Sequence, residues 1–382
     1  MRVALPLLRT SKSLSFHITL ALTFVAASNV LPPIAFTQNQ SRPRRVTATT
    51  PTQAAPSASQ SSTTKAPQEI DDEEVIKVIT SEVLLPVTVR DAAGRLVSGL
   101  TRRDFRVWED GREQALSDLA LRRVPVDVVL MVDSSSSVAE SLGDFQRAAD
   151  EFATRLTPED RFSLIKFDDR VELLQDWTRN RAQLRRALRR VSAGMFTRFN
   201  DALYLAAREQ FGAGGQQQRR RAVVVLSDGI DSGRGQATLE ATLRALLEAQ
   251  VAVYAISNTR IERARKQGQL DVLLSGGEAG VRFNELRIGD LREGLRVLEV
   301  SERGLAQLAV ATGGRLYTPE SFAALEGVYA EVAEELRSQY GLYYTPVDVV
   351  RDGRFRQIKV GTADPSLRVT SRIGYYTSVS KP

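Results

Sequence analysis

The chain has 382 residues, a formal net charge of +6, no cysteine and one histidine, His17. Without cysteine there is no disulfide, thiolate nucleophile or thiolate metal site, and with its one imidazole in the amino-terminal apolar segment the folded body has no Ser-His-Asp or Cys-His machinery and no histidine-ligated zinc. The charge does not point to nucleic acid: residues 1–68 hold seven basic residues and no acid, which leaves the remainder at −1, too little field to attract a polyanion.

Arg2, Arg9 and Lys12 precede an uncharged apolar run from Leu14 to Ala27, with small residues at Ala26, Ala27 and Ser28. This order reads as a secretory signal over residues 1–27, with Val25-Ala-Ala27 as the cleavage signal. An uncleaved anchor is the alternative, because no charge lies between Lys12 and Arg42, although Pro32 and Pro33 oppose a long regular helix. Either reading exports the body to the periplasm, the cell envelope or the outside, and the absence of cysteine leaves no lipid anchor. Residues 28–72 are dominated by Thr, Ser, Gln, Ala and Pro; such a stretch buries too little apolar surface to offset chain entropy and is expected to be a disordered linker.

Residues 73–122 alternate in the manner of antiparallel strands. Val83, Leu85, Val87 and Val89 share one face before a turn at Asp91-Ala-Ala-Gly94, and Phe105-Arg-Val-Trp-Glu109 is a second strand that turns at Asp110-Gly111. Residues 347–382 carry further strands, Phe355 to Val360 and Leu367 to Tyr376, after a turn at Asp352-Gly353. Neither piece is long enough for a good core, so together they predict one small β-sandwich with an α/β domain, residues 123–346, inserted between its halves; two independent β appendages are the alternative.

Within 123–346 apolar strands and amphipathic helices alternate. Strands are predicted at Val128 to Val132, Phe162 to Phe167, Val171 to Leu174, Ala222 to Leu226, Val251 to Ile256, Arg315 to Tyr317 and Leu342 to Tyr344. Helices are predicted at Asp144 to Leu156, Arg181 to Val191, Asn200 to Phe211, Thr238 to Ala249, Gly304 to Ala311 and Phe322 to Leu336. That order describes a doubly wound, mostly parallel sheet of Rossmann-like type. The arginines from Arg179 to Arg190 fall on the solvent side of a helix whose Leu184, Leu188 and Val191 face inward, and Arg219 to Arg221 read as a solvated turn. Residues 260–300 are longer than an ordinary connection and begin on the edge where the parallel strands end; they read as a lid beside that edge, or as an ornament on the side of the sheet.

The residues with chemistry lie on that same edge. The run Val126-Asp-Val-Val-Leu-Met-Val-Asp-Ser-Ser-Ser-Ser137 is a buried strand ending in Asp133 and a row of hydroxyls, and Ala222-Val-Val-Val-Leu-Ser-Asp-Gly229 is another that ends in Asp228 and a glycine turn. Between them Thr197 precedes a helix. Aspartate and hydroxyl oxygens suit Mg²⁺ or Mn²⁺, and a cation held mostly by neutral hydroxyls stays electrophilic toward an outside carboxylate. Asp231-Ser-Gly233 has no second copy with which to build an aspartic dyad, and adjacent Asp168 and Asp169 read as a strand turn. No phosphate-binding loop is present.

Asp133-x-Ser135-x-Ser137, then Thr197, then Asp228 resembles the metal-ion-dependent adhesion site of the von Willebrand factor type A family, and the resemblance covers roughly Pro125 to Pro346. It implies a divalent cation, Mg²⁺ or Mn²⁺, held by Asp133, Ser135, Ser137, Thr197 and Asp228. It also implies an adhesion module whose protein partner presents an Asp or Glu carboxylate, which with the leader and the missing imidazole reads as an exported, non-catalytic binder; a metal-independent envelope scaffold and a metal-assisted hydrolase are the alternatives. The chain departs from the family pattern where small glycines usually precede the threonine: here Met195 and Phe196 stand there, and Arg198 follows.

Overall fold

The computed structural model describes residues 82–120, 124–135, 142–212, 219–348, 350 and 352–377. The signal, the linker and Ser137 of the hydroxyl row lie outside them.

The central layer is a six-stranded sheet. Its strands are β5 (Val126–Asp133), β6 (Arg161–Phe167), β7 (Val171–Thr178), β8 (Arg220–Leu226), β9 (Ala252–Ile256) and β10 (Arg315–Tyr317), in the order β10-β9-β8-β5-β6-β7. All neighbours run parallel except the β6–β7 hairpin at one edge. All eight residues of β5 are buried, because helices cover both faces and the period-two alternation sends apolar residues to each. Val128, Leu130 and Val132 join Val224 and Leu226 of β8 in one core, against α1 (Leu142–Arg155), α2 (Arg181–Leu188) and α8 (Leu325–Ser338). Val129 and Met131 join Val223 and Val225 in the other, against α3 (Phe199–Leu205), α4 (Leu239–Glu248) and α7 (Glu285–Thr312). From β5 the chain moves first to β6 on one side and later to β8 on the other, so β5 is the point where the winding reverses, the usual ligand crevice of such sheets.

Eight further strands form two four-stranded antiparallel sheets: β1 (Val83–Arg90), β2 (Phe105–Glu109), β3 (Arg112–Gln114), β4 (Leu116–Ala120), β11 (Tyr340–Tyr344), β12 (Phe355–Thr362), β13 (Arg368–Thr370) and β14 (Gly374–Tyr376). Their orders are β13-β1-β11-β4 and β14-β12-β2-β3, so strands from before and after the α/β layer alternate in the first and meet at the β12–β2 pair in the second. One core unites them, with Leu85, Val87 and Val89 of β1, Val107 of β2, Leu342 and Tyr344 of β11 and Ile358 of β12. Tyr344 and Tyr375 both donate to the buried Glu109 carboxylate, at 2.7 and 3.1 Å.

Four elements differ from the sequence reading. The strand at Leu342 to Tyr344 is not in the parallel sheet; as β11 it pairs antiparallel with β1 and β4, and its apolar run serves a sandwich core instead. The segment Leu367 to Tyr376 is not one strand: β13 pairs with β1 and β14 with β12, in different sheets. The helix expected to start at Gly304 is the last part of the 28-residue α7, because Leu291, Leu298, Leu305 and Leu308 keep one stripe past Gly294 and Gly304. Arg219 to Arg221 are not a solvated turn. Arg219 pairs with Asp127 at 2.7 Å, and Arg220 is buried at the start of β8, donating to the Val124 and Leu336 carbonyls.

Residues 260–300 become α5 (Thr259–Leu274), α6 (Gly277–Phe283) and the first half of α7. Leu270, Ile288 and Leu291, with Leu273, Val281 and Leu295 against them, give this helical hairpin a small core of its own. Phe283 and Leu286 at its turn are exposed. No helix among the described residues is long and apolar enough to cross a membrane.

Candidate metal centre

The β5 strand runs out at Asp133, whose side chain is completely buried. One carboxylate oxygen, Oδ1, accepts the Ser135 amide at 2.9 Å, and Oδ2 accepts the Ser227 hydroxyl at 2.6 Å. Burial first, and then the negative charge of nearby Asp228, push the Asp133 carboxyl up to about 7, against the lowering effect of those hydrogen bonds. Among the described residues no lysine or arginine lies within ion-pair distance of Asp133. Asp228 follows β8 in the turn beside it; its Oδ1 accepts the Ile230 amide at 3.0 Å, and the Ser301 hydroxyl of α7 donates to its backbone carbonyl.

The loop that carries Thr197 is fastened at both ends to these strand termini. The Gly194 amide donates to the Ser134 carbonyl at 2.7 Å, directly after Asp133. Thr197 and Ser232 then hold each other: the Thr197 amide donates to Ser232 Oγ at 2.8 Å, and the Ser232 amide to the Thr197 carbonyl at 2.9 Å. Position 194 tolerates no side chain, because a Cβ there would lie 2.4 Å from Asp168 Oδ2. Gly229 is restricted twice, by φ of +74° and by Leu305 of α7, 2.5 Å from where its Cβ would stand.

The structure therefore brings Asp133, Ser135, Thr197 and Asp228 to one sheet edge, all nine-tenths or more buried; Ser137 is outside the described residues. The donor set is hydroxyl-rich: among the described residues no three of His, Cys, Asp or Glu converge on a point. A buried carboxyl whose proton affinity Asp228 raises, with hydroxyls around the two acids, is a set of oxygen donors that suits a divalent cation. Met195 is largely exposed, Phe196 lies beneath the Arg234 guanidinium at 3.6 Å, and Arg198 is held by Asp201 at 3.7 Å and the Arg234 carbonyl at 3.2 Å.

Several supporting residues were not evident from the sequence. Ser227 orients Asp133, yet it looked like one more residue of an apolar strand. Asp168 does more than close a turn: it pairs with the buried Lys166 at 2.7 Å and accepts the Ser134 hydroxyl at 2.9 Å. Burial alone would raise its carboxyl, but Lys166, the Arg170 amide and Ser134 outweigh that and hold it below the usual carboxylate range. Asp231 accepts the Asn200 amide at 2.9 Å on one oxygen and the Gly233 amide at 2.8 Å on the other. Asn258, just beyond β9 on the same edge, is fully buried with neither amide atom hydrogen-bonded; that costs roughly 1–3 kcal/mol per group, and no contact in the structure explains it.

Among curated proteins none matches the chain. Solved structures similar to it include proximal thread matrix protein 1 from the mussel byssus, with 15% identity and a TM-score of 0.41 over 60% of this chain and 50% of that one. The chain thus spans about half the length of the mussel protein, which has also been solved with zinc occupying its metal-ion-dependent adhesion site motif. Others are an aerotolerance-related membrane protein from Bacteroides fragilis (16% identity, TM-score 0.37, 55% of this chain and 99% of that one) and BatB from Bacteroides thetaiotaomicron (19%, 0.35, 55% and 98%). Residues 128–230, from β5 through the turn after β8, match the family model of the von Willebrand factor type A domain. That match takes in the strands that end in Asp133 and Asp228 and the loop that carries Thr197 between them.

Proposed function

We propose that this protein is an exported binding module that captures a carboxylate on a partner protein through Mg²⁺ or Mn²⁺. The observation that carries the reading is Asp133: a fully buried carboxylate beside Asp228, paired with no cationic side chain among the described residues and flanked by the hydroxyl loops of Ser135 and Thr197. Asp133, Ser135, Ser137, Thr197 and Asp228 would hold the ion. A divalent cation held there would supply Lewis acidity toward an outside carboxylate. The chain's own residues do the rest: Ser227 and the Ser135 amide orient Asp133, and the Gly194 and Ser232 contacts fix where Thr197 stands. Binding rather than turnover is part of the reading, because Asp231, the acid three residues after Asp228, uses both oxygens on backbone amides. The basic-then-apolar amino-terminal segment supports export.

Calorimetric titration of Mg²⁺ and Mn²⁺ into the chain tests the site, with Asp133→Ala alongside. We expect saturable binding that the substitution abolishes while far-ultraviolet circular dichroism is unchanged; equal binding by both proteins would overturn the assignment. Capture from an envelope extract, with Mg²⁺ in one arm and EDTA in the other, tests the partner. A protein retained only with metal supports carboxylate capture, and retention indifferent to EDTA rejects it.

A further inference from the structure

Far from the metal centre, where the base of the parallel sheet meets the sandwich, the chain buries positive charge with no acid in ion-pair contact; Asp160 and Asp127 act on Arg220 and Arg221 only from longer range. Arg220 and Arg372 are 4% and 5% exposed. Arg220 donates to the Val124 carbonyl at 3.0 and 2.6 Å and to the Leu336 carbonyl. Arg372, in the crossing from β13 to β14, reaches the Leu84 carbonyl at 3.1 Å and Gln250 Oε1 at 3.4 Å, and its Nε has no partner. Neighbouring Arg221 donates to the Ala249 carbonyl at 2.9 Å. Among the described residues none of the three guanidinium groups has a carboxylate within ion-pair distance. Carbonyls satisfy N–H groups but cancel no charge, and an unpaired buried cation is costly. Arginine does not escape that cost by losing its proton.

These three arginines line one cavity of about 20 Å³, together with Gln250, Gln339 and Thr312. That volume admits a water-sized particle, the size of a monatomic anion. We propose that this cavity is a binding site for a monatomic monovalent anion of the chloride class, held by Arg220, Arg221 and Arg372. The ion supplies the counter-charge that the chain omits and seats the sandwich on the base of the α/β layer. Its ligands come from β8, which belongs to one part, and from the β13–β14 crossing, which belongs to the other.

The test is thermal unfolding of the full chain in EDTA, which silences the metal centre, in sodium chloride, bromide or gluconate at equal ionic strength. Chloride and bromide should raise the midpoint relative to gluconate by about 2–4 °C, saturating with concentration, and crystals grown in bromide should show its anomalous signal in the cavity. Arg372→Met should abolish the halide shift. Should that variant fail to fold, Gln250→Glu is the second: it places a carboxylate beside Arg372, and it should fold and show no halide shift. Identical midpoints in gluconate and the halides, with no bromide in the cavity, would overturn the proposal. So would a Gln250→Glu protein that keeps the full shift.

Discussion

At the scale of single residues the proposed metal centre is braced by a buried ion pair beside it. Lys166 and Asp168 are both more than nine-tenths buried, 2.7 Å apart, and through the Ser134 hydroxyl they brace the loop that follows Asp133. Removing one partner of such a pair strands the other, so Lys166→Met should cost about 3–5 kcal/mol at neutral pH. The pH dependence has a definite sign. Asp168 is held below its unfolded value, so its contribution is complete above about pH 4 and is lost as pH falls through the folded value. Urea unfolding in EDTA over roughly pH 3 to 7 should show the gap between wild type and variant closing toward the acid end; a gap that stays constant would mean that Lys166 acts through packing alone. Legibility at this scale followed chemistry. Asp133, Ser135, Thr197 and Asp228 announce themselves because acids and hydroxyls directly after buried strands have few structural uses. Ser227 and Lys166 were silent because one directly follows an apolar strand and the other lies inside one, and only the register with β5 and the β6–β7 hairpin reveals what each touches.

At the scale of elements, the α5–α7 hairpin rises from the edge that carries the site, and its foot meets the site directly: Ser301 holds the Asp228 carbonyl and Leu305 fills the space beside Gly229. The rest of the hairpin packs on its own core. Replacing residues 264–297 with a short Gly-Ser turn should therefore leave the domain folded and its Mg²⁺ affinity within about threefold, because these contacts are independent of the main cores. If the hairpin acts as a lid, partner capture should fall at least tenfold in the same protein. Unchanged capture, measured by surface plasmon resonance, would reduce the hairpin to an ornament. Periodicity located this segment but not its joint with the following helix. Gly304 looked like a start, whereas the leucine stripe on either side of it was long enough to carry the helix through.

The whole molecule shows where sequence patterning stops being informative. Alternation identified β1, β2 and β12, left β3 and β4 unnamed and ran β13 and β14 together, and pairing between residues far apart in the chain leaves no local trace. Nothing in Tyr340-Gly-Leu-Tyr-Tyr344 distinguishes a strand of the parallel sheet from the partner of β1. Arg220 misled for a related reason: an arginine triplet looks solvated unless one knows that the sandwich closes over it.

That pairing has a mechanical consequence. Val83 stands opposite Tyr344 and Val87 opposite Tyr340, while the α/β layer joins the sandwich at the other end of the same strands, through Tyr340 and through Ala120 opposite Gly341. A pull on the chain ahead of Val83, resisted at the metal edge, runs along β1 and loads its bonds to β11 together in shear, since those bonds lie across the strand. A pull from residue 377 reaches β14 instead, which is joined to β12 at only three positions. In optical tweezers, with one handle on the exposed side of α2, rupture from the amino-terminal side should need the greater force; equal forces would contradict the geometry. A protein that holds its ligand under flow would be best gripped from that side, by the strand the rest of the fold was inserted to follow.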